Sequence, residues 1–359
     1  MMRAMPSVDA FALILAGGGG TRLWPSSRRT RPKQLLSLGG GESLLRGSFR
    51  RASALFGLER TLIVTAADQA EAIRAELPEL PAANVIAEPA ARNTAAAVGL
   101  GAAAVARRAG QDAVLAVLPS DAFIGDDAGF AAVVATAVAE ARGTIVTIGI
   151  KPTTPETGFG YLHLGTQRGP NIYDVGAFVE KPNLEKARQY LAAGTYLWNS
   201  GMFFFTAGRM LAEARRHMPA LGEALADFVA APDFDAAVQS RYPGVPATSI
   251  DYGIMEKTEG IRVVPGDFAW NDVGSWAALG AIRAADPAGN VISGQAVVAD
   301  SAGNIVVSEP GAPLVAMVGI EDMVVVATKD AVLVVKKKDA QDVKKIVEAL
   351  KAQGRQDLL

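Results

Sequence analysis

Residues 15–36 read LAGGGGTRLWPSSRRTRPKQLL, an apolar run that enters a string of glycines. Gly17, Gly18, Gly19 and Gly20 lead into Thr21 and Arg22, and a basic set follows at Arg28, Arg29, Arg31 and Lys33. Glycines after a strand let backbone N–H groups curl around a phosphate, with no Cβ in the way. The third glycine of a GxGxxG fingerprint is replaced here by Arg22, and GxxxxGK[ST] is absent. A dehydrogenase and a P-loop NTPase therefore both lose support. What remains is polyphosphate held near a glycine-rich turn by several cations, set against a tight turn with solvated basic residues.

The string G-G-x-G-T-R-L-x-P…P-K resembles the signature of the sugar-phosphate nucleotidyltransferases. With Trp24 after Leu23, and Pro32-Lys33-Gln34 further on, it is similar to the mannose-1-phosphate guanylyltransferases. Other segments follow in the family's order, so the resemblance covers nearly the whole chain. Glu88-Pro-Ala-Ala-Arg-Asn-Thr94 follows an apolar run and opens a helix-like stretch. A carboxylate can accept from the guanine N1–H and N2–H₂ donors, and Asn93 can read a base edge or cap the helix. The resemblance assigns the purine to this segment, with Glu88, Asn93 and Thr94 in contact. Ala96-Ala97 stands where the family has Ala-Pro.

Leu118-Pro-Ser-Asp121 lies at the carboxyl end of an apolar run, where doubly wound sheets bind ligands. Ser120 joins the nucleotide set. The distant partner of Asp121 is Asp272, in Phe268-Ala-Trp-Asn-Asp-Val-Gly-Ser-Trp276. Mg²⁺ takes one or two carboxylates beside phosphate oxygens and water, and two Asp suit that need. The resemblance implies both as ligands of Mg²⁺, and Ala122 stands where a His usually follows the first Asp. Thr157–Tyr161, Phe178–Pro182 and Trp198–Phe204 should hold the sugar phosphate. Gly160 permits close backbone approach, Glu180 and Asn199 suit hydroxyls, and Lys181 suits a phosphate as a point charge. Ser249–Thr258, SIDYGIMEKT, is a further match; Asp251 and Glu256 receive no role beyond shaping this pocket.

These residues need a scaffold. Apolar runs at 11–16, 61–65, 84–87, 113–118 and 144–150 alternate with helix-like stretches at 42–54, 68–77, 93–108 and 129–142. Short continuous runs separated by helices mean a parallel sheet covered on both faces. The expected class is α/β, a doubly wound, mostly parallel, Rossmann-like nucleotidyltransferase core. Strand-like pieces at 159–164, 173–180 and 201–205 continue that sheet, with helices at 184–193, 207–217 and 275–285. After residue 286 come five short β runs, 295–299, 304–307, 314–318, 323–327 and 331–335, separated by Gly, Asn and Asp turns. A meander, a roll or a short β-helix would satisfy them. A helix over 339–352, with Val343, Ile346, Val347 and Leu350 on one face, closes the chain. The expected domains are 1–285, catalytic, and 286–359, a smaller C-terminal β domain ending in a helix.

The 359 residues include no Cys and two His, His163 and His217, at unrelated spacing. Disulfides, zinc–thiolate sites and a Ser–His triad are therefore not expected. Lys plus Arg is 35 and Asp plus Glu is 37, so the net charge of −2 argues against a nucleic-acid binder. No apolar stretch approaches the ~20 residues of a membrane span, and the N-terminal run is too short for a signal peptide, so a cytoplasmic location is expected. The reading implied is an enzyme that makes GDP-mannose and diphosphate from GTP and mannose 1-phosphate with Mg²⁺. Arg22 and Lys33 hold the triphosphate, Asp121 and Asp272 the metal, and Lys181 the sugar phosphate. Family resemblance adds a homodimer. The alternatives are the same chemistry on another sugar 1-phosphate or nucleotide, or a non-catalytic nucleotide-sugar sensor. Fused phosphomannose isomerase activity is rejected, because no His-and-carboxylate segment follows the β region.

Overall fold

The computed structural model describes residues 9–38 and 41–359. Contacts divide them into two compact units. The first runs through residues 9–17, 48–120 and 126–270; the second gathers 18–38, 41–47, 121–125 and 271–359. Residues 286–359, the β-rich end of the sequence, thus lie wholly in the second unit. That unit also draws in the glycine signature and the segment of Asp121.

The first unit is built on a nine-stranded sheet. Its order is Val85–Glu88, Thr61–Ala66, Ala10–Ala16, Val114–Pro119, Tyr196–Thr206, Val146–Ile150, Arg262–Gly266, Ile172–Glu180, Gly160–Gly169. The first four strands are parallel, and their near-continuous burial explains their apolar runs. Tyr196–Thr206 then enters antiparallel to both of its main neighbours, Val114–Pro119 and Val146–Ile150. Arg262–Gly266 is parallel to Val146–Ile150, and the last two strands pair antiparallel. The sheet is α/β and doubly wound as expected, but it is parallel over its first four strands and mixed beyond them. The last two strands are less completely buried than the parallel ones, which weakens their apolar signal.

Helix Asn93–Ala109 is buried continuously from Ala95 to Val105. Its small residues let it lie close on the sheet: a Cβ on Gly101 would strike Leu13, and one on Gly99 would strike Leu225. Leu225 belongs to helix Pro219–Ala230, which with Phe234–Arg241 adds two helices beyond those read from the sequence. The expected helix over 275–285 is instead a 3₁₀ turn, Trp276–Ala278, and the short helix Leu279–Ile282.

In the second unit, Val291–Ser293, Ile305–Ser308 and Met323–Ala327 stack in parallel, and so do Ala296–Ala299 and Val315–Val318. Parallel rungs between successive turns of chain are those of a β-helix and exclude a meander, in which neighbours run antiparallel. Buried asparagines satisfy the turns. Asn304 donates to Asn290 Oδ1 at 3.0 Å and to the Ile320 carbonyl at 2.8 Å, and its own oxygen accepts from Met323 N–H at 2.9 Å. The expected closing helix begins as a 3₁₀ segment, Lys337–Val343, and continues as Lys344–Ala352. Val343 and Val347 are buried, but Ile346 remains 43 % exposed, so the apolar face is narrower than the spacing suggested. Among the described residues no helix is long and apolar enough to cross a membrane.

Candidate functional site

The glycine signature is held by the β-rich part of its own unit. Leu23, Trp24, Leu36 and Leu38 pack with Trp276, Ile305, Val324 and Val326 in one cluster. The Trp276 indole donates to the Trp24 carbonyl at 2.9 Å, and the Trp24 indole donates to the Leu358 carbonyl at 2.9 Å. Arg28 bonds Asp330 at 3.0 Å, and Arg31 bonds both oxygens of Glu309 at 3.1 Å. Two members of the basic set are therefore engaged in holding the loop down. Thr21 and Arg22 stand exposed on the 3₁₀ turn Thr21–Leu23.

Gly20 sits at φ 58°, and a Cβ there would collide with the Cβ of Lys33. The glycine is what lets the Lys33 stem lie against the turn. Lys33 Nζ donates to Asp121 Oδ2 at 2.8 Å and to the Asp272 backbone carbonyl at 2.5 Å. Three residues read as functional from distant segments thus meet in one unit. The backbone beside Asp272 is strained: Val273, β-branched and fully buried, has φ 49°, and its N–H donates to Asn271 Oδ1 at 2.8 Å. A Cβ on Gly274 would lie 2.7 Å from Asp272 Oδ2, so that glycine makes room for the carboxylate. The Asp121 carboxylate and the Asp272 backbone carbonyl are thus two oxygen acceptors on one ammonium. No group of three or more His, Cys, Asp or Glu converges among the described residues, so a closed protein cage for a metal is not built there.

In the first unit, Glu88 ends its strand only 8 % exposed, and the buried Tyr242 hydroxyl donates to its Oε1. Burial pushes the Glu88 carboxyl above the usual carboxylate range, and the Tyr242 hydrogen bond works against that rise. Tyr242 is pushed up by burial and then by Glu88. Glu88 Oε2 is turned to Gly17, where a Cβ would lie 4.0 Å from it. Asn93 is exposed at φ 64°, and its Oδ1 accepts from Thr94 N–H at 2.8 Å. The Thr94 hydroxyl accepts from Ile250 N–H at 2.9 Å, so its oxygen serves the fold. Buried Ser120 donates its backbone N–H to the Leu15 carbonyl at 3.2 Å.

The four residues read as the sugar-phosphate set also meet in the first unit. Lys181, at φ 48°, bonds Glu180 Oε1. A Cβ on Gly160 would lie 2.5 Å from Glu180 Oε2 and 3.3 Å from the Asn199 Cβ. Asn199 donates to Asp251 Oδ1 at 3.0 Å, and Glu256 Oε1 accepts from Glu180 N–H at 2.9 Å. Asp251 and Glu256 thereby acquire definite contacts that the sequence left open. Burial and the neighbouring Glu180 push the Asp251 carboxyl up to about 6, while Lys181 and Asn199 pull it down. Sequence reasoning missed Tyr242, since a Tyr-Pro-Gly turn far from Glu88 carries no local signal.

The family model described as nucleotidyl transferase matches residues 11–288, and that described as MannoseP isomerase/GMP-like beta-helix domain matches residues 294–350. The chain is 43 % identical over 358 residues to the xanthan biosynthesis protein XanB of Xanthomonas campestris pv. campestris, covering 97 % of this chain and 75 % of that protein. It is 41 % identical over 367 residues to a mannose-1-phosphate guanylyltransferase of Escherichia coli K12, covering 98 % and 76 %. A crystal structure described as a mannose-1-phosphate geranyltransferase from Thermus thermophilus superposes with a TM-score of 0.87 at 39 % identity, over 96 % of this chain and all of that one.

Proposed function

From the premise that this chain belongs to the nucleotidyl transferase family, we propose that it transfers GMP from GTP to mannose 1-phosphate and releases diphosphate. The convergence of Lys33, Asp121 and Asp272 carries the reading, because it gathers a cation and two hard donors from three distant segments. Relatives named mannose-1-phosphate guanylyltransferase support the choice of base and sugar.

The nucleophile is an oxygen of the sugar phosphate and the target is the α-phosphorus of GTP. A phosphomonoester has a second pKa of about 6, so the nucleophile is already largely ionised at neutral pH. No general base is needed. The protein's task is to bring two polyanions together and align them. Arg22 and Lys33 bind the triphosphate, the backbone of Gly17–Gly20 with Thr21 and Ser120 cradles it, and Glu88 with Asn93 reads guanine. Thr94 supports that segment through Ile250. Lys181 binds the sugar phosphate, and Glu180 and Asn199 orient the sugar hydroxyls beside Gly160. Asp121 and Asp272 would hold Mg²⁺, which when bound supplies positive charge among the phosphate oxygens.

Diphosphate release across a matrix of nucleoside triphosphates and sugar 1-phosphates tests this reading. GTP with mannose 1-phosphate should be the preferred pair and should require Mg²⁺. Preference for another pair would assign the same chemistry to other substrates, and no release with any pair would point to a sensor.

A further inference from the structure

The sugar-phosphate pocket holds more acid than base. Glu180 has its side chain 6 % exposed and bonds Lys181; it packs with Asn199 at Gly160, and Asn199 bonds Asp251, on which the charges of Glu180 and Lys181 both act. The Asn199 amide has one allowed orientation. Gly201 N–H, which can only donate, reaches Asn199 Oδ1 at 3.2 Å, so the amide NH₂ must face Asp251 Oδ1. Asp251 Oδ1 is thereby fixed as an acceptor, and any proton on this carboxyl belongs on Oδ2. The charged groups around Asp251 are Glu180 and Lys181, with Glu256 reaching the same strand end through the Glu180 backbone. Its own short helix, Ile250–Gly253, adds the phenol of Tyr252, and helix Asn93–Ala109 meets it through the uncharged Thr94. Lys181 is thus the one ammonium among those groups.

Resting on the reading of this pocket as the sugar-phosphate site, we infer that its occupation by a phosphomonoester draws a proton from solvent onto Asp251. Lys181 cannot neutralise Glu180 and a phosphate dianion at once. When the ammonium turns to the phosphate, the pocket keeps two carboxylates and gains further negative charge, and both changes favour protonation of the buried carboxyl. The balance is simple: solvent gives one H⁺, an O–H bond forms at Asp251 Oδ2, and no bond of the substrate changes. Asp251 already sits at about 6 with Lys181 beside it, so the loss of that cation carries it toward neutral pH. Asp251 is then a positioning residue: protonated, it still accepts from Asn199 through Oδ1 and gains a donor at Oδ2.

Calorimetric titration of mannose 1-phosphate into the full chain with Mg²⁺ and a non-hydrolysable GTP analogue, at about pH 7 in buffers of different ionisation enthalpy, counts the protons exchanged. The readout is the difference between wild type and variant, and the ³¹P shift of the bound sugar phosphate over the same pH range shows whether the proton sits on the phosphate instead, an outcome that would overturn the inference. Wild type should take up a fraction of a proton more than Asp251→Asn, and Asp251→Ser serves if Asn is not tolerated. Equal proton counts with binding intact would overturn this inference alone. Absence of binding to wild type would overturn the sugar-phosphate reading itself, and with it the inference.

Discussion

Lys33 Nζ lies 2.8 Å from Asp121 Oδ2, an ion pair in which the ammonium is 12 % exposed and the carboxylate 44 %. The same nitrogen donates to the Asp272 backbone carbonyl, so it ties two acidic segments together. A partly exposed pair of this kind adds little to stability, at most about 1 kcal/mol. Its value lies in placement: the ammonium holds Asp121 toward the backbone of Asp272. The collision that a Cβ on Gly20 would make with Lys33 shows how closely the signature turn fits this arrangement.

Lys181→Ala should weaken mannose 1-phosphate far more than GTP, because it removes a charge aimed at one substrate. A charge-assisted contact is worth roughly 1.5–3 kcal/mol, or about a 10- to 150-fold rise in KM for the sugar phosphate. Steady-state kinetics with each substrate varied in turn checks it. A rise confined to the KM for GTP would place Lys181 elsewhere.

Glu88→Gln should alter base choice. The substitution keeps an oxygen for the Tyr242 hydroxyl but can turn donors toward the guanine N1–H and N2–H₂ groups. GTP use should fall by roughly 10- to 150-fold, on the same scale of charged hydrogen bonds. ITP, which lacks the exocyclic amine, should lose less. Equal losses on the two nucleotides would show that Glu88 does not meet the N2 edge.

Much of this was legible in the sequence, for a physical reason. The buried parallel strands carry unbroken apolar runs, and the helices at Leu184–Ala193 and Ala207–His217 begin and end where their residues predict. The Glu-Lys-Pro and Trp-Asn-Ser-Gly segments stood out through the family resemblance, and Glu180, Lys181 and Asn199 do come together beside Gly160 in the first unit. What stayed hidden depends on long-range pairing. Nothing near Arg28 or Arg31 foretells Asp330 or Glu309, and nothing near Glu88 foretells Tyr242. The antiparallel entry of Tyr196–Thr206 is likewise a matter of topology, since a buried strand reads alike in either direction.

Asp251→Asn should change the pH dependence of stability. The wild-type carboxyl is raised in the fold from 3.8 to about 6 by burial and by Glu180. A raised acid favours the folded state fully below its unfolded pKa, and that contribution is lost as pH rises through the folded value. Asn does not titrate and still offers Asn199 an acceptor. Wild type should therefore lose ground to the variant between about pH 4 and about pH 7. Thermal melts at about pH 5 and about pH 8 measure it, with the variant's Tm gaining on wild type at the higher pH. A constant difference would mean that Asp251 is ionised in the fold throughout.

Asp121 and Asp272 should behave as one functional unit. GTP and mannose 1-phosphate together bring several negative charges into a small volume, and their repulsion opposes in-line approach. Side-chain cations would offset part of it, but they hold phosphates less rigidly than a coordinated divalent ion does. Lys33 bonds both the Asp121 carboxylate and the Asp272 backbone carbonyl, so the two residues lie in one neighbourhood of the second unit. Asp→Asn at either position keeps the shape and removes one anionic donor. Each single variant should lose most of its kcat while GTP still binds, and the double variant should be little worse than either, because a unit broken once has little left to lose. If the two residues merely shaped their turns, activity would persist with a lowered Tm, and Asp272→Asn would turn over near normally at saturating Mg²⁺. Isothermal binding of GTP beside single-turnover rates for the two single variants and the double separates these outcomes. Multiplicative losses in the double variant would mean independent roles and would remove the case for a shared metal.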